Sequence, residues 1–105
     1  MRTFHHFGIP TDEPREGETY LEDAKLYITD VEASGNKIEW LRFEEGSSMP
    51  EMLKKLPHIA YVVDDLKAEL EGAEVLLEPF EPMEGLTVAF VIEEGAPIEL
   101  MQMSE

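Results

Sequence analysis

The chain contains an internal repeat, in which a histidine, an aspartate and a glutamate recur in the same order. Residues 6–12 (HFGIPTD) align with residues 58–64 (HIAYVVD) at an offset of 52. Glu39 aligns with Glu99 at an offset of 60, so the first copy is eight residues shorter between its histidine and its glutamate. Eight residues are about one short helix. The repeat therefore predicts one small domain built from two similar units, the first of them lacking a helix.

Strand patterns outnumber helical ones in both copies. We predict strands over residues 3–9, 25–31, 37–43, 58–63, 73–77, 86–92 and 97–103. Residues 33–36 are expected to join two of these strands as a tight hairpin. A short helix over 66–70 is predicted to follow Asp64 as its N-cap and to stop at Gly72, and one helical turn is expected within 51–56.

Alternation along the strands places the repeated glutamates among apolar neighbours. Glu99 shares its face with Met101, while Ile98 and Leu100 point to the other side. Met101 is expected to pack in the sheet or to line a cleft. A carboxylate in such surroundings costs several kcal/mol unless it is paired, protonated or bound to a cation. Two of them at equivalent positions therefore predict a functional site.

Two adjacent histidines compete for the first position of the repeat. Asp12 follows His6 as Asp64 follows His58, which selects His6. Strand alternation then predicts that His5 points to the opposite face, away from the candidate site.

Charge and composition exclude several classes of function. Twenty-four acidic residues against eight basic ones give a net charge of −16, which repels nucleic acid and polyanionic substrates and suits a cation. The absence of cysteine excludes disulfides, thiolate metal sites and cysteine nucleophiles. No glycine-rich phosphate loop or serine-nucleophile motif is present. Without a membrane-length apolar run or a signal pattern, we expect a cytoplasmic protein with no membrane partner.

The two copies resemble the vicinal oxygen chelate superfamily, which contains glyoxalase I, methylmalonyl-CoA epimerase, extradiol dioxygenases and the fosfomycin- and bleomycin-resistance proteins. The more specific motifs lie in the second copy, H-x-A-x-x-V-x-D-L at its start and G-x-P-I-E-L near its end. The first copy matches through HFGIPTD and GNKIEWLRF. The resemblance covers nearly all of the chain outside residues 44–56.

This resemblance implies an α+β fold of two paired βαβββ-like modules that form a curved sheet cleft, with the first helix reduced or missing. The modules would span about 1–44 and 57–105 of a single glyoxalase-like domain over 1–105, with a connector at 45–56. Modules of this kind pair within a chain or between chains. Because 105 residues provide a marginal core, we also predict a homodimer.

The resemblance further implies a divalent metal ion, held by His6, Glu39, His58 and Glu99. The ion could be nickel, zinc, manganese or iron, with two positions of an octahedron left for a small oxygenated substrate. Glu99 or Glu39 would then serve as a catalytic base in an isomerase or lyase. Two histidines with one carboxylate would instead suit an Fe²⁺ dioxygenase. A further alternative is a metal-free binding protein of the bleomycin-resistance type, which sequesters a small cationic ligand.

Overall fold

The computed structural model of the chain describes residues 1–104, which form one eight-stranded mixed sheet with two short helices. The strands are β1 (Arg2–Pro10), β2 (Thr19–Leu21), β3 (Leu26–Ile28), β4 (Ile38–Phe43), β5 (His58–Val63), β6 (Glu74–Met83), β7 (Leu86–Glu93) and β8 (Ala96–Met103). The helices are α1 (Glu51–Lys55) and α2 (Leu66–Leu70), and a 3-10 turn covers Val31–Ala33.

The strand order β2-β3-β4-β1-β5-β8-β7-β6 divides the sheet into two equivalent halves. We call β1–β4 the first module and β5–β8 the second. In each module the first and last strands run parallel and the others antiparallel, and β1 meets β5 antiparallel at the centre. The predicted α+β fold of paired modules is confirmed.

The strand register reproduces both offsets of the sequence repeat. Gly8 pairs with Glu39 in the first module, and Ala60, which stands 52 residues after Gly8, pairs with Glu99 in the second. Across the centre, His6 lies opposite Ala60, and the repeated histidine of β5 lies opposite Gly8. The two modules therefore carry their histidines and glutamates at equivalent places.

The two faces of the second module bury separate apolar clusters. The outer face contributes Val63, Ala89, Val91, Ile98 and Leu100, which form a cluster with Leu66 of α2. The inner face contributes Ala60, Val88, Phe90 and Met101, which form a cluster with Leu53 of α1. Glu99 and Met101 thus lie on the face opposite Ile98 and Leu100, as strand alternation predicts.

The first module has no helix between β1 and β2, which residues 11–18 join as a loop. The predicted loss of this helix is confirmed, and it leaves the outer face of β1 open. Phe4 and Phe7 are each 42% exposed there, with their ring centroids 4.8 Å apart. No helix within residues 1–104 is long and apolar enough to cross a membrane.

Several local features differ from the sequence prediction. The N-cap of α2 is Asp65 and not Asp64, because the Asp65 side chain accepts a hydrogen bond from the Ala68 N–H at 3.2 Å. The predicted strand 25–31 stops at Ile28, since Asp30 caps the 3-10 turn that follows. β3 and β4 pair with each other as expected, but the connection between them is longer than the predicted tight hairpin turn.

Two edge strands also depart from the prediction. β2 has no counterpart among the predicted strands, because its three residues are too few for an alternating pattern to be visible. β6 continues to Met83, well past the predicted end at residue 77 and through Pro79 and Pro82. Proline is tolerated because β6 lies at the edge of the sheet, where one row of N–H groups needs no partner.

Candidate metal centre

Four side chains from four neighbouring strands meet at the centre of the inner face. They are His6 on β1, Glu39 on β4, His58 on β5 and Glu99 on β8, and we call them the His/Glu cluster. One ligand atom from each lies within 4.8 Å of the others. The structure therefore brings together all four residues that the sequence analysis selected.

The atoms of the cluster are spaced like metal ligands. Glu99 Oε1 lies 2.9 Å from His58 Nε2 and 3.4 Å from His6 Nε2, and His6 Nε2 lies 3.5 Å from Glu39 Oε1. Ligands at about 2.1 Å from an octahedral ion are about 3 Å apart when adjacent and about 4.2 Å apart when opposite. The measured contacts of 2.9–3.5 Å lie close to the separation of adjacent ligands.

Burial leaves one nitrogen of each cluster histidine without a partner. His6 and His58 are each 2% exposed, and Glu99 is 8% exposed. Within the described residues, His6 Nε2 and His58 Nδ1 have no hydrogen-bond partner. An unsatisfied buried polar atom costs about 1–3 kcal/mol. His6 Nε2 faces two carboxylates, so a cation between them would satisfy it, and the residues fit a metal ion.

The electrostatics of the cluster favour positive charge at its centre. Burial alone would lower the pKa of His6, but the carboxylates of Glu39 and Glu99 outweigh it and raise that pKa to about 9. Burial would raise the pKa of Glu99, yet His58 and His6 hold it below its usual value. Without an ion, a protonated His6 therefore supplies the positive charge that the carboxylates require.

No family model and no curated protein matches the sequence, whereas solved structures match the fold. A hypothetical protein from Bacillus halodurans has a TM-score of 0.71 and 20% identity, covering 99% of this chain and 96% of that one. Methylmalonyl-CoA epimerase from Mycobacterium tuberculosis has a TM-score of 0.65 and 19% identity, covering 98% and 89%. The fold is that of the vicinal oxygen chelate superfamily.

In this vicinal oxygen chelate fold, Gly8 makes room for one of the cluster histidines. A Cβ atom built on Gly8 would overlap the imidazole ring of His58. The other side of that ring meets Phe90 edge-on, with centroids 5.2 Å apart. A glycine at this place in β1 is therefore what allows His58 to reach the cluster.

The prediction for His5 is wrong, because β1 contains a β-bulge. The register shifts between Phe4 and His6, so His5 is an extra residue that breaks the alternation. His5 lines the inner cleft, and its Nδ1 lies 2.8 Å from His6 Nδ1. Its pKa is lowered by burial and by the charge of His6. Sequence alternation could not reveal this neighbour, since it assumes a regular strand and a bulge inserts an extra residue.

A cleft of about 580 Å³ opens over the cluster on the inner face of the superfamily fold. Its walls are largely apolar and include Met103 and also Met101, in agreement with the expected role of Met101 as a packing or lining residue. Phe80, Met83 and Glu84 also line it. Phe80 and Met83 lie beyond residue 77, the predicted end of this strand, and Glu84 has no predicted role.

Proposed function

We propose that this chain binds a divalent metal ion through His6, Glu39, His58 and Glu99, and acts on a small oxygenated molecule in the cleft. The observation that carries the proposal is the buried, unpartnered Nε2 atom of His6, which faces two carboxylates. Two neutral imidazoles and two carboxylates would balance a divalent charge. One protein with the same fold is named as an epimerase, which is a precedent for an isomerisation reaction.

The reaction we favour is proton transfer at carbon, as in an isomerase or lyase. A bound divalent ion would supply Lewis acidity, which polarises a substrate oxygen. The side chain of Glu99 is hydrogen-bonded to His58 at 2.9 Å, whereas the carboxylate of Glu39 lies 3.5 Å from His6 Nε2 and its side chain is 16% exposed. Glu39 is thus the better placed of the two carboxylates to take a proton from the neighbouring carbon and to return it.

Glu39 also bears on the dioxygenase alternative. An Fe²⁺ dioxygenase site needs two histidines and one carboxylate. His6, His58 and Glu99 would suffice for that, but the carboxylate of Glu39 lies 3.5 Å from His6 Nε2. A fourth ligand at this position would occupy coordination space that oxygen chemistry requires, so we favour the isomerase or lyase reaction.

Thermal melting with and without Ni²⁺, Zn²⁺, Mn²⁺ and Fe²⁺ tests the metal site. An ion that binds only the folded chain raises the free energy of unfolding, by about 2.7 kcal/mol at a concentration one hundred times its Kd. The melting temperature increases as a result. We expect at least one of these ions to raise the melting temperature of the wild type. The same ion should not raise the melting temperature of Glu99→Gln. Titration calorimetry should give one ion per chain.

Non-specific binding needs a matched control, because a chain with a net charge of −16 attracts any divalent cation. Glu45→Gln removes the same charge at an exposed position outside the cluster. The proposal requires Glu45→Gln to keep the wild-type stabilisation. Equal shifts in the wild type and in both variants would contradict a metal site in the cluster.

A metal-free binding protein is the second candidate, and the compensation of charge within the cluster favours it. His58 and Glu99 form a hydrogen bond at 2.9 Å, and the pKa of His6 is raised to about 9. The carboxylates can thus be compensated by imidazolium alone. If no metal stabilises the wild type beyond Glu99→Gln, this second function is the one to pursue.

We also propose that two chains associate through the outer face of the first module. Phe4 and Phe7 form an exposed aromatic pair there, and no helix covers them. Small domains gain stability by covering such surfaces. Light scattering at micromolar concentration should give a dimer mass for the wild type and a monomer mass for Phe4→Ser/Phe7→Ser. Leu56→Ser, at a residue 40% exposed, is the control and should remain a dimer.

A further inference from the structure

The cleft over the His/Glu cluster is lined by apolar and acidic side chains. Its apolar walls include Leu41, Phe80, Met83, Val88, Met101 and Met103. Among residues 1–104, no lysine or arginine lines it. An anionic ligand larger than the cluster itself would therefore find no cationic partner in these walls.

Two of the eight basic residues, both arginines, are held by carboxylates outside the cleft. Arg2 binds Glu69 and Glu93 with contacts of 2.8–2.9 Å. Arg42 binds the Glu18 carboxylate at 2.7 and 2.9 Å. These arginines lie outside the cleft lining, and their charge is already neutralised.

The rim of the cleft is acidic on two sides. Asp30 and Glu32 belong to the connection between β3 and β4, and Glu84 lies in the turn between β6 and β7. All three are exposed. An anion entering the cleft would pass between these carboxylates, in the field of a chain whose net charge is −16.

We infer that the ligand of this cleft is a small apolar molecule that carries no phosphate, sulfate or other strongly anionic group. The inference rests on the function proposed above and narrows its substrate class. The apolar body of the molecule would contact the methionine and aromatic walls, and its polar end would face the cluster. A coenzyme A thioester, with its several phosphates, does not suit these walls, although an epimerase with the same fold is named for such a compound.

Two fluorescent probes that differ in one charged group test this inference. N-phenyl-1-naphthylamine is neutral and apolar, and 1-anilinonaphthalene-8-sulfonate adds a sulfonate to the same rings. We expect the neutral probe to bind at least about tenfold more tightly, a ratio that like-charge repulsion at a partly buried site can produce. The double variant Glu32→Lys/Glu84→Lys should tighten the binding of the sulfonate.

Two further variants show whether the neutral probe occupies the cleft. Met83→Glu adds a charge to the lining and should weaken its binding by about tenfold. Leu56→Glu adds the same charge at an exposed leucine outside the lining and should leave its binding unchanged. Equal or tighter binding of the sulfonate, or an equal effect of both variants, would overturn the inference. The titrations are made with a chelator, so that failure of the metal site is measured separately.

The β-bulge at His5 carries a second inference, from a different observation. If His6 binds an ion through Nε2, its Nδ1 atom must carry the ring proton. The atom 2.8 Å from that Nδ1 is the Nδ1 of His5. His5 must then accept the hydrogen bond, with its own ring proton on Nε2.

The geometry points to His5 as a positioning residue for the proposed metal site. By accepting a hydrogen bond from His6 Nδ1–H, it would select the tautomer whose Nε2 lone pair faces the cluster. It would also hold the orientation of the His6 ring. Outer partners of this kind typically change metal affinity by about 10–100-fold when they are removed.

Zinc affinity measured by competition with a chromogenic chelator tests the role of His5. His5→Phe keeps a ring but has no acceptor, and should weaken binding by at least about tenfold. His5→Asn places an acceptor oxygen near the former Nδ1, and should restore affinity to within about threefold of the wild type. The Co²⁺ absorption spectrum should change in the phenylalanine variant and return in the asparagine variant.

Melting of the metal-free variants separates this role from a general effect on folding. Equal zinc affinity of the wild type and His5→Phe would overturn the inference while leaving the metal site intact. Equally weak binding by the phenylalanine and asparagine variants would also overturn it, because the acceptor would then not matter. If the wild type itself binds none of nickel, zinc, manganese and iron, the proposed metal site fails, and the inference about His5 fails with it.

Discussion

At the scale of single residues, Gly8 decides where the ring of His58 can lie. A Cβ atom at this position would overlap that ring, so Gly8→Ala must displace His58 from the His/Glu cluster. We predict that Gly8→Ala lowers metal affinity by at least about tenfold, measured by titration calorimetry with the ion that stabilises the wild type. Gly35→Ala is the control, because a Cβ atom there meets no neighbour within 4 Å. Similar affinities for the two variants would contradict the prediction.

The raised pKa of His6 predicts a pH dependence of the metal-free protein. Because this pKa is about 9 in the folded chain and 6.5 in the unfolded one, the contribution of His6 to stability is complete below pH 6.5. It is lost as the pH rises through about 9. Its full value is at most about 3.4 kcal/mol, at 1.36 kcal/mol per pKa unit.

Urea unfolding of the wild type and His6→Gln, in the presence of a chelator, measures this contribution. The difference between their unfolding free energies should shrink as the pH is raised from 6.5 to 9. A difference that stays constant over this range would contradict the prediction. Metal affinity should have the opposite dependence and increase towards pH 9, because the proton on His6 must leave before an ion can bind.

At the scale of elements, the short helix α2 depends on its cap. It has only five residues, and the side chain of Asp65 accepts a hydrogen bond from the Ala68 N–H. We predict that Asp65→Ala lowers the free energy of unfolding by about 1 kcal/mol, the usual cost of losing an N-cap. Asp64→Ala, one residue earlier and highly exposed, should change it by less than about 0.5 kcal/mol. Urea denaturation of the two variants makes the comparison, and the reverse order would contradict the assigned cap.

At the scale of the whole molecule, the net charge of −16 predicts stabilisation by salt. Repulsion among carboxylates opposes the compact state, and salt screens it over a Debye length of about 10 Å at 0.1 M. We expect the melting temperature to increase by several degrees between about 10 mM and about 300 mM sodium chloride. A variant with several exposed glutamates replaced by glutamine should show a smaller increase. A melting temperature independent of salt would contradict this account.

Regular periodicity explains why much of the site could be predicted from the sequence. Alternation places Glu99 on the inner face, and the repeat then places Glu39 in the same way. The repeat also selects His6 and His58, which the central pairing of β1 with β5 brings near each other. Each of these inferences needs only that the strands are regular and that the two modules are alike. Both conditions hold along most of the sheet.

The remaining features depend on contacts between residues that are distant in sequence. The bulge that turns His5 towards the cleft arises where β1 pairs with β5, and alternation alone predicts the opposite face. The extension of β6 to Met83 requires pairing with β7 and an edge position that tolerates proline. The sequence alone determined the two modules and the four residues that meet between them, because periodicity is local. Only the tertiary structure decided what surrounds those residues, because strand pairing sets where the local pattern breaks.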